Sequence, residues 1–185
     1  MAAAGAGGDI ELVAVTKGFG PDAVRAAIGA GCRSVGENYA QELLAKRDVL
    51  AAAGPVAVHF IGRLQSNKVR QVAELARRAP GATVLIQVNP IGEPGKGGCA
   101  PGAVPGLVAA GRDAGLAVDG LMTVGPTSGG PEAARAGFRA VRTLVDALGL
   151  RTCSMGMTDD LEVAIEEGTT RVRLGTALFG PRPDA

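Results

Sequence analysis

Aromatic residues are scarce in this sequence, which has no Trp, one Tyr and four Phe among 185 residues. Single-stranded nucleic acid is usually held by aromatic side chains on which bases stack, so this shortage argues against such a partner. The formal net charge is only +1, which gives no strong field for nucleic acid or for an acidic membrane surface. We therefore expect neither a nucleic-acid partner nor a membrane partner.

Cysteine is equally sparse, with three residues at long spacings and no Cys-x-x-Cys pair. This pattern argues against a disulfide scaffold and against a zinc site, and it is typical of a reducing cytoplasm. The first residues lack the basic and apolar regions of a secretory signal. No apolar run approaches the length of about 20 residues that a membrane span needs. We expect a cytoplasmic protein.

Short runs rich in Val, Ile and Leu alternate with Ala-rich helical stretches along the whole chain. Seven strands are predicted, at residues 11–17, 34–39, 56–64, 83–89, 120–124, 152–157 and 171–179. Helices are predicted between them, at residues 21–30, 40–53, 66–78, 104–114 and 131–148, with a last short helix ending at residue 167. Such alternation indicates parallel strands joined by helical crossovers.

The predicted fold is an α/β, (β/α) TIM-barrel-like single domain over residues 1–185, with a flexible N-terminus at residues 1–9. A closed barrel of this kind normally has eight strands and roughly 250 residues. The chain is therefore predicted to be shortened by about one βα unit. The gap falls between the strands of His59 and Gln87, and it would leave two unpaired strand edges there.

Lys17 closes an otherwise apolar first strand in a chain that has only four lysines. Functional groups of parallel α/β folds gather where strands end. A lysine partly desolvated there would have a lowered pKa, and its neutral amine could form a Schiff base with a carbonyl. From position alone, a plain solvated lysine at a strand end is the preferred explanation.

The ends of the last two predicted strands carry the second candidate group. Gly175 and Thr176 supply backbone N–H groups and a hydroxyl at a position where barrel enzymes often bind phosphate, and Ser154 and Gly156 lie one strand earlier. Arg173 could face a cofactor ring, where its permanent charge would hold a pyridine nitrogen unprotonated. Close packing of the glycines and an ion pair of the arginine are the alternatives.

His59 is the only histidine, and it lies between Val58 and Phe60. The sequence is consistent with two roles for it, a hydrogen-bonded core residue or a catalytic base. Asp159 and Asp160 suggest a helix cap more than a metal site. No metal is therefore predicted.

Several segments together resemble the YggS family of pyridoxal-phosphate homeostasis proteins. These segments are residues 14–17, 36–39, 41–42, 59–62, 64–65, 67–68, 86–89, 120–122, 154–157 and 172–180, and they occur in the order of the family. The resemblance implies a fold-type III barrel, similar to the N-terminal domain of alanine racemase. One strand with its helix, and the usual N-terminal helix, have no counterpart in this sequence.

The resemblance also implies the site. Lys17 would form the Schiff base with pyridoxal 5'-phosphate, Arg173 would lie near the pyridine nitrogen, and Asn38 and His59 would line the pocket. The phosphate would be held by Ser154, Gly156, Gly175 and Thr176.

Family members are thought to buffer and deliver the cofactor without an established turnover, so this chain is expected to be a cofactor-binding regulator. Apo pyridoxal-phosphate enzymes would be its recipients, and its predicted state is a monomer or a weak dimer. Two alternatives stay open: a racemase-like enzyme, and a relative that has lost the cofactor. The only tyrosine, Tyr39, does not match the catalytic tyrosine of alanine racemase.

Overall fold

The computed structural model describes residues 10–62 and 82–182. Its strands are β1 (Glu11–Val15), β2 (Ser34–Glu37), β3 (Ala57–Phe60), β4 (Thr83–Gln87), β5 (Ala117–Met122), β6 (Thr152–Ser154) and β7 (Arg171–Leu174). Its helices are α1 (Pro21–Gly29), α2 (Ala40–Ala45), α3 (Arg47–Ala52), α4 (Val104–Asp113), α5 (Arg135–Ala147), α6 (Leu161–Glu166) and α7 (Thr176–Phe179). Short 3-10 turns at Pro101–Ala103 and Pro131–Ala134 precede α4 and α5.

The strands form one seven-stranded sheet in the order β3-β2-β1-β7-β6-β5-β4. All of its strand pairs are parallel, and the first strand pairs with the last through Val13 and Arg173. The sheet is curled as in a (β/α) barrel, and this confirms the predicted TIM-barrel-like fold with seven recognised strands. Its two edges, β3 and β4, are consecutive along the described part of the chain, where the missing unit is predicted.

The helices cover one face of the sheet. Phe138, Val141 and Val145 of α5 are fully buried in a cluster with Leu121 of β5 and Cys153 of β6. Side chains alternate along a strand, so Ser154 faces the opposite side from Cys153. That opposite side is the inside of the curled sheet, and Arg173 reaches Ser154 there.

Several predicted elements differ from the structure; the predicted sixth strand, for example, ends at Ser154, three residues before its predicted end. The predicted helix 40–53 is interrupted at Lys46, whose side chain is buried. The predicted last strand ends at Leu174, and the chain turns into the short helix α7 at Thr176. The fifth strand begins at Ala117, three residues before its predicted start. The predicted helix 66–78 and the predicted flexible residues 1–9 lie outside the described residues.

Candidate functional site

Lys17 lies in a turn directly after β1, at the carboxyl end of the sheet. Its side chain is half-buried, and burial lowers the pKa of its amine. The charges of Arg182 and Arg173 lower that pKa further, while Glu42 opposes them. The lysine is therefore not a plain solvated one, and its amine is neutral at lower pH than that of an exposed lysine.

The turn after Lys17 is packed against the end of the chain. Gly18 has a φ of 75°, and a Cβ there would lie 2.8 Å from Cδ of Arg182. The rings of Phe19 and Phe179 lie with their centroids 5.4 Å apart. The first strand–helix connection, which contains Lys17, and helix α7 therefore form one side of the mouth of the barrel.

Arg173 is buried inside the sheet and bridges three strands. Its Nη1 donates to the carbonyl oxygen of Ser154 at 3.0 Å and to the hydroxyl of Ser154 at 2.6 Å. Its Nη2 donates to the carbonyl oxygen of Thr123 at 2.8 Å. Burial lowers the pKa of this guanidinium to about 10, although the charge of Asp160 raises it. The guanidinium therefore remains charged at neutral pH. Its three hydrogen bonds to Ser154 and Thr123 use Nη1 and Nη2 and leave Nε unused.

Gly156 follows β6 in a conformation that favours glycine, with a φ of 98°. A Cβ at this position would lie 2.6 Å from the Cβ of Ala164 in α6. Its carbonyl oxygen accepts the backbone N–H of Arg173 at 3.0 Å. Gly156 therefore holds the end of β6 close to both β7 and α6.

Gly175 and Thr176 lie where β7 passes into α7, so the first N–H groups of that helix have no acceptor within it. The next N–H, that of Ala177, donates to the hydroxyl of Thr158 at 3.3 Å. A Cβ on Gly175 would lie 3.3 Å from the carbonyl oxygen of Val15. The two residues are thus next to the end of β1, on the same side of the mouth as Lys17.

Asn38 follows β2 directly and is partly buried. Val15 of β1 is paired with Gly36 of β2, so two residues further on Lys17 and Asn38 occupy corresponding positions. This register places both residues just beyond the carboxyl ends of neighbouring strands. That Asn38 lines a cofactor pocket stays a prediction.

His59 lies on the edge strand β3, paired with Gly36. Its Nε2 is 3.2 Å from Oε1 of Glu11, the first residue of β1, although the two are poorly aligned for a hydrogen bond. Glu11 also accepts hydrogen bonds from Ser34 at 2.5 Å and from Arg171 at 2.6 Å. The described contacts of His59 are thus with the amino-terminal end of β1, whereas Lys17 follows its other end.

Four residues that sequence reasoning gave no role lie around Lys17. Thr16, Glu37, Glu42 and Lys46 form a connected group on the helix-facing side of the mouth. Glu42 and Lys46 are four residues apart, a spacing that predicts an ion pair on a helix. Their contact with the Lys17 turn depends on the pairing of β1 with β2, so it could not be read from spacing.

The family of the chain follows from sequence comparison. The sequence profile described as alanine racemase, N-terminal domain, matches residues 1–183. The chain belongs to this family. A Pyridoxal phosphate homeostasis protein of Pseudomonas aeruginosa is 44% identical over 196 residues, covering 94% of this chain and 85% of that protein. One from Aquifex aeolicus, with the same name, is 38% identical over 199 residues, covering 93% of this chain and 87% of that protein. The resemblance to the YggS family is thereby confirmed.

Solved structures agree with this assignment. PipY of Synechococcus elongatus without PLP has a TM-score of 0.82 and 29% identity, covering 92% of this chain and 93% of that one. PipY with PLP bound has a TM-score of 0.79 and 30% identity, covering 92% of each chain. Alanine racemase of Bartonella henselae, at 15% identity and a TM-score of 0.71, covers 94% of this chain and 55% of that one and shares the fold.

The alignment with the Pseudomonas relative also bears on chain length. Its 196 aligned positions exceed the 185 residues of this chain. The relative therefore carries residues that have no counterpart here, and this agrees with the predicted shortening of the barrel.

No helix in residues 10–62 and 82–182 is long and apolar enough to cross a membrane. Within the same ranges, no group of three or more His, Cys, Asp or Glu side chains is placed to hold a metal ion.

Proposed function

We propose that this protein binds pyridoxal 5'-phosphate through a Schiff base on Lys17 and serves the homeostasis of that cofactor. The observation that carries the proposal is the half-buried Lys17, whose pKa is lowered by burial and by neighbouring arginines, at the mouth of the barrel. A neutral amine is what attack on an aldehyde requires. The names of the relatives and the PLP-bound PipY structure support the choice of ligand.

The residues present fit the other groups of this cofactor. The N–H groups at the start of α7, at Gly175 and Thr176, are suited to a phosphate, as is the hydroxyl of Ser154. Because Ser154 accepts a hydrogen bond from Arg173, its own proton is directed away and can be donated to an anion. The guanidinium of Arg173 would place a fixed positive charge near the ring, and Asn38 would line the pocket. His59 would contribute only from deeper in the barrel, since its described contact is with Glu11 at the amino-terminal end of β1.

Binding without turnover is part of the proposal. When bound, the cofactor supplies a reactive aldehyde and an electron-withdrawing ring. Beside that ring, Arg173 would act as a donor and keep the pyridine nitrogen unprotonated, which weakens the ring as an electron sink. A racemase would also need a catalytic tyrosine. Tyr39, the only tyrosine, does not match that of alanine racemase: it is 56% exposed and directly precedes α2. We therefore assign the protein a role in buffering the cofactor and delivering it to apo-enzymes in the cytoplasm, as a monomer or a weak dimer.

Absorbance in the visible region tests the Schiff base. Purified protein mixed with pyridoxal 5'-phosphate is expected to show the Schiff-base band, and borohydride reduction followed by peptide mapping is expected to mark Lys17. Lys17→Ala should abolish the band. Lys96→Ala should retain it, because Lys96 is paired with Glu93 in the loop after β4, at 2.7 Å. Absence of a band with excess cofactor, or a label on another lysine, would overturn the proposal.

Delivery and turnover need separate measurements. Loaded protein is expected to reactivate a pyridoxal-phosphate apo-enzyme, and it should not racemise alanine at an enzyme-like rate. Rapid racemisation would instead establish the racemase-like alternative. Light scattering after gel filtration measures whether the protein is a monomer or a dimer.

A further inference from the structure

The two peptide groups that flank Lys17 are both held by side chains from the segment after β2. The carbonyl oxygen of Thr16 accepts a hydrogen bond from Nζ of Lys46 at 2.8 Å. The backbone N–H of Gly18 donates to Oε2 of Glu42 at 2.7 Å. These two peptide groups determine the φ and ψ of Lys17, so the direction in which its side chain leaves the backbone is fixed from both sides.

Lys46 is almost completely buried, which is unusual for a lysine. It is 1% exposed, and it lies at the interruption between α2 and α3. Its ammonium contacts Oε1 of Glu37 at 2.7 Å and Oε2 of Glu42 at 3.6 Å. The hydroxyl of Thr16 donates to the same oxygen of Glu37. The buried cation thus connects the ends of β1 and β2 with the first turn of α2.

Stability alone does not explain a buried ion pair here. Desolvation of both ions offsets their attraction, and well-packed apolar residues usually serve as well or better. Oε2 of Glu37 is buried without a hydrogen-bond partner among the described residues, so this pair is not even fully satisfied. The group therefore calls for a role that apolar side chains cannot perform, such as holding polar backbone atoms in place.

We propose that Glu42 and Lys46 are positioning residues for Lys17. They hold the peptide groups before and after it, and they thereby direct its amine into the mouth of the barrel. Neither residue touches the ligand in this proposal. It rests on the proposed role of Lys17 as the Schiff-base lysine and assigns that site its supporting residues.

The charges around Lys17 agree with this assignment. The groups that act on its amine are the cations Arg182 and Arg173 and the anion Glu42. Glu42 raises the pKa of Lys17 against the effects of burial and of both arginines. Glu42 therefore combines two effects on Lys17: its carboxylate balances nearby positive charge, and the same carboxylate holds the backbone of Gly18.

Substitutions at Glu42 separate these two effects. Glu42→Gln keeps an amide oxygen that can accept the N–H of Gly18 but removes the charge, whereas Glu42→Ala removes both. Asp48→Asn is the matched control, because the Asp48 side chain is 91% exposed on α3 and contacts Arg47. Glu42 itself is 30% exposed, so its variants should fold.

Two readouts follow Lys17 directly. Stopped-flow absorbance gives the rate of Schiff-base formation with pyridoxal 5'-phosphate, and NMR of reductively ¹³C-methylated apo-protein gives the pKa of Lys17 without any cofactor. Glu42→Ala is expected to slow Schiff-base formation by about 10- to 100-fold, as misplacement of a reacting group does. Glu42→Gln should react at nearly the normal rate at high pH while the pKa of Lys17 falls further. Asp48→Asn should change neither quantity.

Substitutions at Lys46 are a second test of the positioning role. Lys46→Met should slow the same reaction, and Lys46→Arg should restore part of the rate because it keeps a donor and a charge. If Lys46→Met does not fold, the Glu42 variants alone test the positioning role. A normal rate and a normal Lys17 pKa in Glu42→Ala would overturn the positioning role while leaving the Schiff base intact. A Schiff base that persists in Lys17→Ala would instead overturn the proposed function.

Discussion

Ser154 and Arg173 are in direct contact inside the sheet, with Nη1 of the arginine 2.6 Å from the serine hydroxyl. The sequence assigned them to opposite ends of a cofactor, the arginine to the ring and the serine to the phosphate. Their direct contact makes the two assignments dependent on each other. The arginine orients the serine hydroxyl, and a ligand that contacts one residue is affected by the other.

Replacing Ser154 tests this dependence. Ser154→Ala removes one of the acceptors of Arg173 and one proposed phosphate donor. We expect affinity for pyridoxal 5'-phosphate to fall by about 1–2 kcal/mol, or roughly 5- to 30-fold, as for other hydrogen bonds to charged groups. Affinity for pyridoxal, which lacks the phosphate, should change much less. Spectroscopic titration with each ligand measures both.

Ser34→Ala is the matched control for that substitution. Ser34 is also a buried strand serine, but it lies at the start of β2 and donates to Glu11. Ser34→Ala should therefore leave the affinities for pyridoxal 5'-phosphate and for pyridoxal unchanged. An equal loss for the two ligands in Ser154→Ala would show that Ser154 acts on the ring, through Arg173, and not on the phosphate.

The barrel was predictable because strand periodicity and parallel crossovers restrict the topology. The first and last strands of a barrel are neighbours, so the sequence alone predicts that Lys17 lies near Arg173. The positioning group around Lys17 could not be predicted in the same way. Lys46 lies in what the sequence predicts to be one continuous helix, whereas in the structure it lies at the break between α2 and α3 with its side chain buried.

His59 shows another limit of sequence reasoning. Its neighbours Val58 and Phe60 are each 43% exposed on an edge strand, so their apolar character does not mark a core strand here. The contact of His59 with Glu11 crosses from β3 to β1, and its direction depends on how the strands tilt. Such tilt is a property of the assembled sheet, so the residue pattern of one strand does not contain it.

Arg182 is expected to tune Lys17 from the end of the chain. Its positive charge lowers the pKa of Lys17, second only to burial. Arg182→Gln should therefore raise the pKa of Lys17, and the pH at which the apo-protein reacts with a simple aldehyde should shift upward. The pH profile of borohydride-trapped product measures this. Arg33→Gln, at an exposed residue just before β2, should leave the profile unchanged.

The pairing of His59 with Glu11 predicts a pH dependence of stability. Burial lowers the pKa of His59, the charge of Arg171 adds to this, and Glu11 opposes both. Because the unfolded chain binds a proton at His59 more readily than the folded one, the free energy of unfolding should decrease as pH falls below 6.5. Denaturant unfolding of the wild type and of His59→Gln measures the effect.

Comparison with His59→Gln separates the effect of His59 on stability from that of the neighbouring carboxylate of Glu11. Burial raises the pKa of Glu11, but hydrogen bonds from Ser34 and Arg171 outweigh this and lower it below 4.5. Its contribution to stability is therefore lost only at pH below that value. Between pH 6.5 and 4.5 the wild type should lose more stability than His59→Gln. Parallel curves in that interval would contradict the lowered pKa of His59.

Gly156 should be intolerant of even a methyl group. Its φ of 98° disfavours other residues, and a Cβ would lie 2.6 Å from the Cβ of Ala164. Strain and overpacking together predict that Gly156→Ala lowers the free energy of unfolding by at least about 2 kcal/mol. Because the carbonyl of Gly156 accepts the N–H of Arg173, a shift there should also move Arg173 and weaken cofactor binding.

Gly106→Ala gives the opposite expectation from the same chemical change. Gly106 is exposed within α4, and a Cβ there would have nothing within 4 Å. This substitution should stabilise the protein by up to about 1 kcal/mol, since Ala is the better helix former. Denaturant unfolding of both variants, with cofactor titration where they fold, makes the comparison. Unchanged stability in Gly156→Ala would mean that the end of β6 can move away from α6, and the phosphate site proposed there would then not be rigid.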